Sequence, residues 1–290
     1  MAQIRTDLAL ESGALESGGR VAGVETRQEE VAGFGVTEVR ILTREGEQAL
    51  GKPRGTYLTL DLSDYRTAGT DALPRAVEAV GSCLGRLLPR ERTGEALVVG
   101  LGNRSVTPDA IGPRCADHVL VTRHLTHRDP EQFGSFFPVA ALAAGVLGTT
   151  GMESGELVQA VCRSLKPAWV VAVDALASRS LDRLCRTVQI SDTGIVPGSG
   201  VGNHRFALDK KTLGVPVLAV GVPTVVYGAT LAADLLGRDD LPPLGREGEL
   251  LVTPKDIDSQ VGDLSKVIAY GINLALQPGL GVEDLDLLLS

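Results

Sequence analysis

Aromatic side chains are scarce in this chain: one Trp, four Tyr and five Phe in 290 residues, with only two Met. A core of any size must be made of Val, Leu, Ile and Ala, an α/β composition rather than that of a β-sandwich. Cysteine is nearly as rare. Cys83, Cys115, Cys162 and Cys185 lie far apart with no C-x-x-C pair, so no disulfide framework or thiolate metal site is indicated, and buried reduced thiols are expected. Positive charge is the minority sign, 28 Lys and Arg against 36 Asp and Glu, for a net −8. An acidic chain is poorly placed to grip phosphates, so direct nucleic-acid binding is not expected. No uncharged stretch is long enough to span a bilayer, and Met1–Asp7 has no apolar signal core. No membrane contact and a cytoplasmic location are expected. Internal repeats and low-complexity tracts are also missing.

What the chain does have is a series of short apolar runs. Ala96–Leu101 and Trp169–Val173 are continuous and Val-rich, the pattern of buried parallel strands. Leu73, Ala76, Val77, Val80, Leu84, Leu87 and Leu88 recur at helical intervals, as do Leu157, Val158, Val161 and Leu165 before the Lys166-Pro167 stop. Further strands are expected over Thr37–Leu42 and Thr56–Leu62, a hairpin joined through Gly51–Gly55, and over Phe136–Ala143, Thr187–Ile190 and Pro216–Gly221. Helices are expected after Pro113 through Cys115, Val119 and Leu120, over Val225–Leu236, and over Pro254–Leu276. Residues 1–35, Gly- and Glu-rich, belong at the surface on this reading, and Gly237–Gly248 is a surface loop. From residue 96 onward the alternation predicts a three-layer α/β/α doubly wound sheet, with a small β-rich portion over about 36–65.

Each of the two continuous runs delivers a carboxylate. Asp109 follows the first in Thr107-Pro108-Asp109, and Asp174 ends the second directly. Working groups of open α/β sheets gather outside the carboxyl ends of the strands, so a general acid and a general base can meet there. Each Asp can equally cap a following helix.

Other motifs are incomplete. Gly100-Leu101-Gly102-Asn103 has no third glycine at dinucleotide-fingerprint spacing, and Pro108 interrupts any helix start, so no cofactor is expected. The glycine-rich loop through Gly198, Ser199 and Gly200 has no G-K-[ST] ending; it is either a plain loop or a set of N–H donors for an oxyanion or peptide. Ser199 has no assigned base and no G-x-S-x-G around it. His118, His124, His127 and His204 form no H-E-x-x-H, and the first three read as surface residues; an Asp109, Asp174 and His204 set for a divalent ion stays open as a lesser alternative to a metal-free site.

Several long stretches resemble one family. They are Arg5–Glu11, Val98–Asn103 with Val106–Pro113, Ala172–Ser180, Gln189–Gly194, Pro197–Asn203 and Leu251–Lys255, and together they resemble the germination proteases of spore-forming bacteria nearly end to end. The resemblance implies an endopeptidase that degrades small acid-soluble spore proteins during germination in the spore core. It implies a fold similar to the hydrogenase maturation proteases, a homotetramer, and a zymogen that removes its own propeptide, here residues 1–7 ahead of a single domain over 8–290. It assigns catalysis to Asp109 and Asp174 and processing to the Asp7–Leu8 bond, with no metal; metal ligation by the two aspartates is the alternative. Two departures stand out: Gly237–Leu250 is much shorter than in the longer relatives, and the propeptide is only seven residues.

Overall fold

A run such as Ala96–Leu101, in which every residue is buried, belongs in the middle of a sheet covered on both faces. The computed structural model arranges it that way. The structure describes residues 6–12, 15, 21–67, 69–89, 91–197, 206–237, 245, 248 and 250–289. β4 (Ala96–Leu101) lies between β5 (Val139–Gly145) and β6 (Trp169–Ser178), parallel to both. β6 is parallel in turn to β8 (Val217–Tyr227). Beyond β8 the sheet becomes antiparallel, through β7 (Thr187–Ser191), β3 (Gly55–Asp61), β2 (Phe34–Ile41) and β1 (Val24–Val31). The order is β1-β2-β3-β7-β8-β6-β4-β5, with β9 (Leu251–Val252) paired to the end of β8. The expected α/β/α layering is present, on a mixed rather than wholly parallel sheet. The strands of the β-rich portion form the antiparallel wing of that same sheet.

Alternation along each strand sorts the core into two layers. Ala96, Val98, Trp169, Val171 and Val173 pack with the helices Ala72–Leu87 and Ile257–Leu276. Leu97, Val99, Leu101, Val170 and Ala172 pack on the other side with Val158 and Cys162 of the helix Ser154–Leu165. A third cluster, Ala9, Val39, Ile41, Leu50 and Tyr57, lies under the amino-terminal residues. All four cysteines are buried and unpaired.

One close approach sets the position of the candidate site. The helix Ile111–Asp117 rests its backbone directly on β4 and β6: a Cβ on Gly112 would lie 2.2 Å from the Leu101 carbonyl oxygen, and one on Gly100 would lie 2.1 Å from that of Gly112. Overpacking of this kind costs about 1–3 kcal/mol. Gly112→Ala is therefore expected to lower Tm measurably in thermal denaturation; an unchanged Tm would show that the helix can lift off the strand.

Several boundaries differ from expectation. The amino-terminal region is not simply surface: Leu8 and Ala9 are fully buried, Glu11 is 1% exposed, and residues 24–31 form β1. Between β2 and the turn expected at Gly51–Gly55 there is also a helix, Arg44–Leu50, started by the Thr43 hydroxyl accepting from the Gly46 N–H at 3.3 Å. The helix expected after Pro113 begins before it, at Ile111, and stops at Asp117. β5 starts at Val139 rather than Phe136, and β8 runs on to Tyr227, so the following helix is Gly228–Leu236. The last long helix begins at Ile257, three residues past Pro254. Most of Gly237–Gly248 lies outside the described residues.

Candidate active site

β4 ends at Leu101, and Gly102 turns the chain away with φ +109°. Only glycine fits there comfortably, because an added Cβ would lie 2.1 Å from the Asp109 carbonyl oxygen. The chain then makes a single 3₁₀ turn, Thr107–Asp109, with Pro108 inside it. The Asp109 carboxylate accepts from the Asn103 N–H at 2.8 Å, so it points back across the turn and is not the cap of the next helix, whose first position falls to Ala110. The turn is held from β8 of the same sheet as well. β8 slips by one residue against β6 between the Leu176–Pro223 and Ala177–Val225 pairs, leaving Thr224 without a partner in the ladder. That residue is fully buried and donates its hydroxyl to the Pro108 carbonyl at 2.6 Å.

Asp174 is not at a strand end. β6 continues four residues past it to Ser178, so no helix follows for it to cap, and its carboxylate accepts from the Ala175 N–H at 2.9 Å. Its position in the alternation puts it on the side of Val170 and Ala172, facing the helix Ser154–Leu165, and it is 5% exposed.

Both aspartates line one cleft of about 420 Å³, and so does Asp7. Asp7 reaches it because residues 6–12 lie across the sheet as a strap. The Asp7 N–H donates to the Ala177 carbonyl at 3.0 Å, and the Ala177 N–H donates to the Asp7 carboxylate at 2.8 Å. On the other side, the Asp7 carbonyl accepts from Lys52 Nζ at 2.9 Å and from Gln189 Nε2 at 3.2 Å. Gln189 Oε1 in turn accepts from the Ala9 N–H at 2.7 Å. The strap is anchored further along by the Glu11 carboxylate, which accepts from the Ser178 hydroxyl at 3.0 Å and from the N–H groups of Arg179 at 2.6 Å and Ser180 at 3.0 Å, beside Arg183 Nε at 3.4 Å; Thr6 adds a short hydroxyl contact. Burial pushes the Lys52 ammonium below the ordinary lysine value, while the Asp7 and Glu11 charges pull it back up.

The structure thus brings together Asp109, Asp174, Asp7 and, fully buried just behind the cleft wall, Leu8. Gly198, Ser199, Gly200 and His204 lie outside the described residues, although Pro197 at the near end of their loop lines the cleft. Of the remaining histidines, His118 is half-buried while His124 and His127 are exposed, and His127 pairs with Glu95 at 2.5 Å. No three His, Cys, Asp or Glu side chains among the described residues are grouped to hold a metal ion. No helix among them is long and apolar enough to cross a membrane.

Sequence reasoning missed Lys52, Gln189, Glu11 and Thr224. Gln189 and Glu11 carried a signal, Gln189 being set between apolar neighbours in Val188-Gln189-Ile190 and Glu11 directly following the apolar Leu8-Ala9-Leu10. Lys52, in a polar turn, carried none.

The cleft thus holds two carboxylates beside the strap that carries Asp7, and comparison with known proteins gives the family. A germination protease family model matches residues 6–239. The germination protease of Clostridium perfringens is 43% identical over 330 aligned residues that cover 100% of both chains. That of Clostridium tetani is 40% identical, with 98% of each covered, and that of Bacillus pumilus 35% identical, with 98% of this chain and 96% of the relative covered. Among solved structures, the [NiFe] hydrogenase maturation protease HycI from Thermococcus kodakarensis matches 66% of this chain and 98% of its own at 19% identity, with a TM-score of 0.37. With the family model spanning most of the chain and full-length relatives at about 40% identity, the chain belongs to the germination protease family and is a germination-associated endopeptidase.

Proposed function

We propose that this endopeptidase is made as a zymogen, cuts its own chain between Asp7 and Leu8, and then initiates degradation of small acid-soluble spore proteins, with Asp109 and Asp174 as a general acid–base pair. What carries the reading is that Asp7, the residue on the acyl side of the expected processing bond, lines the same cleft as both aspartates. Peptide hydrolysis needs a water that loses a proton as it attacks and an amine that gains one as it leaves. Two neighbouring carboxylates sharing one proton can serve both needs. In this reading residues 1–7 are the propeptide and 8–290 one protease domain, which works as a homotetramer in the spore core. The net charge of −8 directs it to spore proteins free of DNA, since a bound substrate brings a polyanion with it.

The test is incubation of the purified full-length chain, with ends mapped by mass spectrometry. Because the strap lies in its own cleft, loss of residues 1–7 is expected to be first-order, with a rate independent of protein concentration. The processed enzyme should then cut a small acid-soluble spore protein at an acidic–apolar bond at the same rate with and without a chelator. Chelator-sensitive cutting would make the aspartates metal ligands instead. An intact chain and intact substrate would overturn the reading.

A further inference from the structure

We propose that Lys52 and Gln189 are catalytic residues of self-processing, forming the oxyanion site for the Asp7–Leu8 bond. The inference rests on the processing reaction proposed above. The carbonyl that accepts from Lys52 Nζ at 2.9 Å and Gln189 Nε2 at 3.2 Å belongs to the Asp7–Leu8 peptide bond itself. Donors at this range, held before reaction begins, match what stabilises charge developing on a carbonyl oxygen.

The sheet places them with the aspartates. Gln189 pairs with Gly221 of β8, and Gly221 pairs with Asp174 of β6, so Gln189 and Asp174 stand in one row across three strands. Directly paired residues point to the same side, and two strand spacings put their backbones about 10 Å apart. Asp7 bridges that interval, bonded to Ala177 of β6 through its N–H and carboxylate and to Gln189 of β7 through its carbonyl. The bond's oxygen is thus held by the two donors on the β7 side, and Asp174 lines the same cleft from β6.

The reaction balances without any further component. A water adds to the Asp7 carbonyl carbon and gives one proton to the basic aspartate, and the carbonyl π electrons move onto the oxygen facing Lys52 and Gln189. As the tetrahedral centre collapses, the C–N bond breaks and the Leu8 nitrogen takes a proton from the acidic aspartate. The products are the Asp7 α-carboxylate, left beside the Lys52 ammonium once the remaining hydroxyl proton passes to the released amine, and a new ammonium terminus at Leu8.

A clamp would use the same contacts for a different purpose, and the two are separable. The experiment follows first-order loss of residues 1–7 from the full-length chain and amide exchange of residues 7–11 on matched samples. The variants are Lys52→Met, Lys52→Arg and Gln189→Glu, the last of which keeps an acceptor for the Ala9 N–H while removing the donor. Losing the charged donor is expected to slow processing about 10²–10³-fold, and losing the neutral one about tenfold. Lys52→Arg should recover most of the rate, and exchange protection of the strap should stay close to that of the unaltered chain. Lys52→Met processing at the normal rate would overturn the proposal. So would a slowing matched by an equal loss of protection, which is the mark of a clamp. An unaltered chain that never cuts at Asp7–Leu8 sinks this inference together with the reading it rests on, whereas normal cutting by the unaltered chain and by Lys52→Met alike sinks this inference alone.

Discussion

Asp109→Asn and Asp174→Asn are each expected to stop both self-processing and digestion of substrate, with rates falling about 10³-fold or more. The substitution is isosteric, so it removes the proton-transfer chemistry and little else. Asn can still accept the N–H bonds that orient each side chain, from Asn103 at position 109 and from Ala175 at position 174. Folding should therefore be preserved, and Tm is expected to hold or rise, since active sites commonly trade stability for activity. The pair of measurements is what decides. Activity lost with Tm retained assigns the aspartates to chemistry. Activity lost with Tm strongly lowered makes them structural, and activity kept removes them from the mechanism.

The second large effect is expected at Glu11. Its side chain is fully buried and gathers two N–H donors, a serine hydroxyl and a guanidinium within 3.4 Å. Removing one partner of a buried charged cluster costs about 3–5 kcal/mol, because the others stay behind without it. Glu11 lies in the strap, so the cost falls on closing the strap rather than on the sheet beneath. Glu11→Ala should raise amide exchange over residues 7–11 by about 10²–10⁴-fold, following tenfold per 1.4 kcal/mol. Processing at Asp7–Leu8 should slow, since the bond spends less time in the cleft. Cleavage of added substrate by the still-unprocessed chain should increase, since the cleft is more often open. Opposite movement of the two rates is the signature; a parallel fall in both would mean that Glu11 supports the cleft itself.

How much of this was legible beforehand depended on where burial is decided. β4 matches its expected bounds, and the helix over 72–87 is within a residue of them, because a strand buried on both faces and an amphipathic helix write their environment into local sequence. Asp174 stood out for the same reason, as a charge directly after a continuous apolar run, and Asp109 by its place in the turn that follows another. β1 did not, since Val24–Val31 is an edge strand exposed along most of its length, and only pairing with β2 makes it one. β6 was cut short at Asp174 because a carboxylate inside a buried strand reads as its end; the apolar residues resume at Ala175. The strap was the least legible of all. Apart from Lys52, 45 residues on, its partners lie about 170 or more residues further along, and no local pattern records them.

That distance has a consequence for how the protein is born. The strap's anchors, Lys52, Ala177–Ser180, Arg183 and Gln189, are all synthesised before Tyr227, where β8 is complete and the row from Asp174 to Gln189 can close. The far wall of the cleft, with Leu251 and Thr253, emerges from the ribosome only afterwards, later by roughly one to five seconds at about 5–20 residues per second. The seal can therefore settle before there is a finished blade to cover. On the zymogen reading proposed above, order along the chain, and not only affinity, would keep a newly made copy from cutting its neighbours.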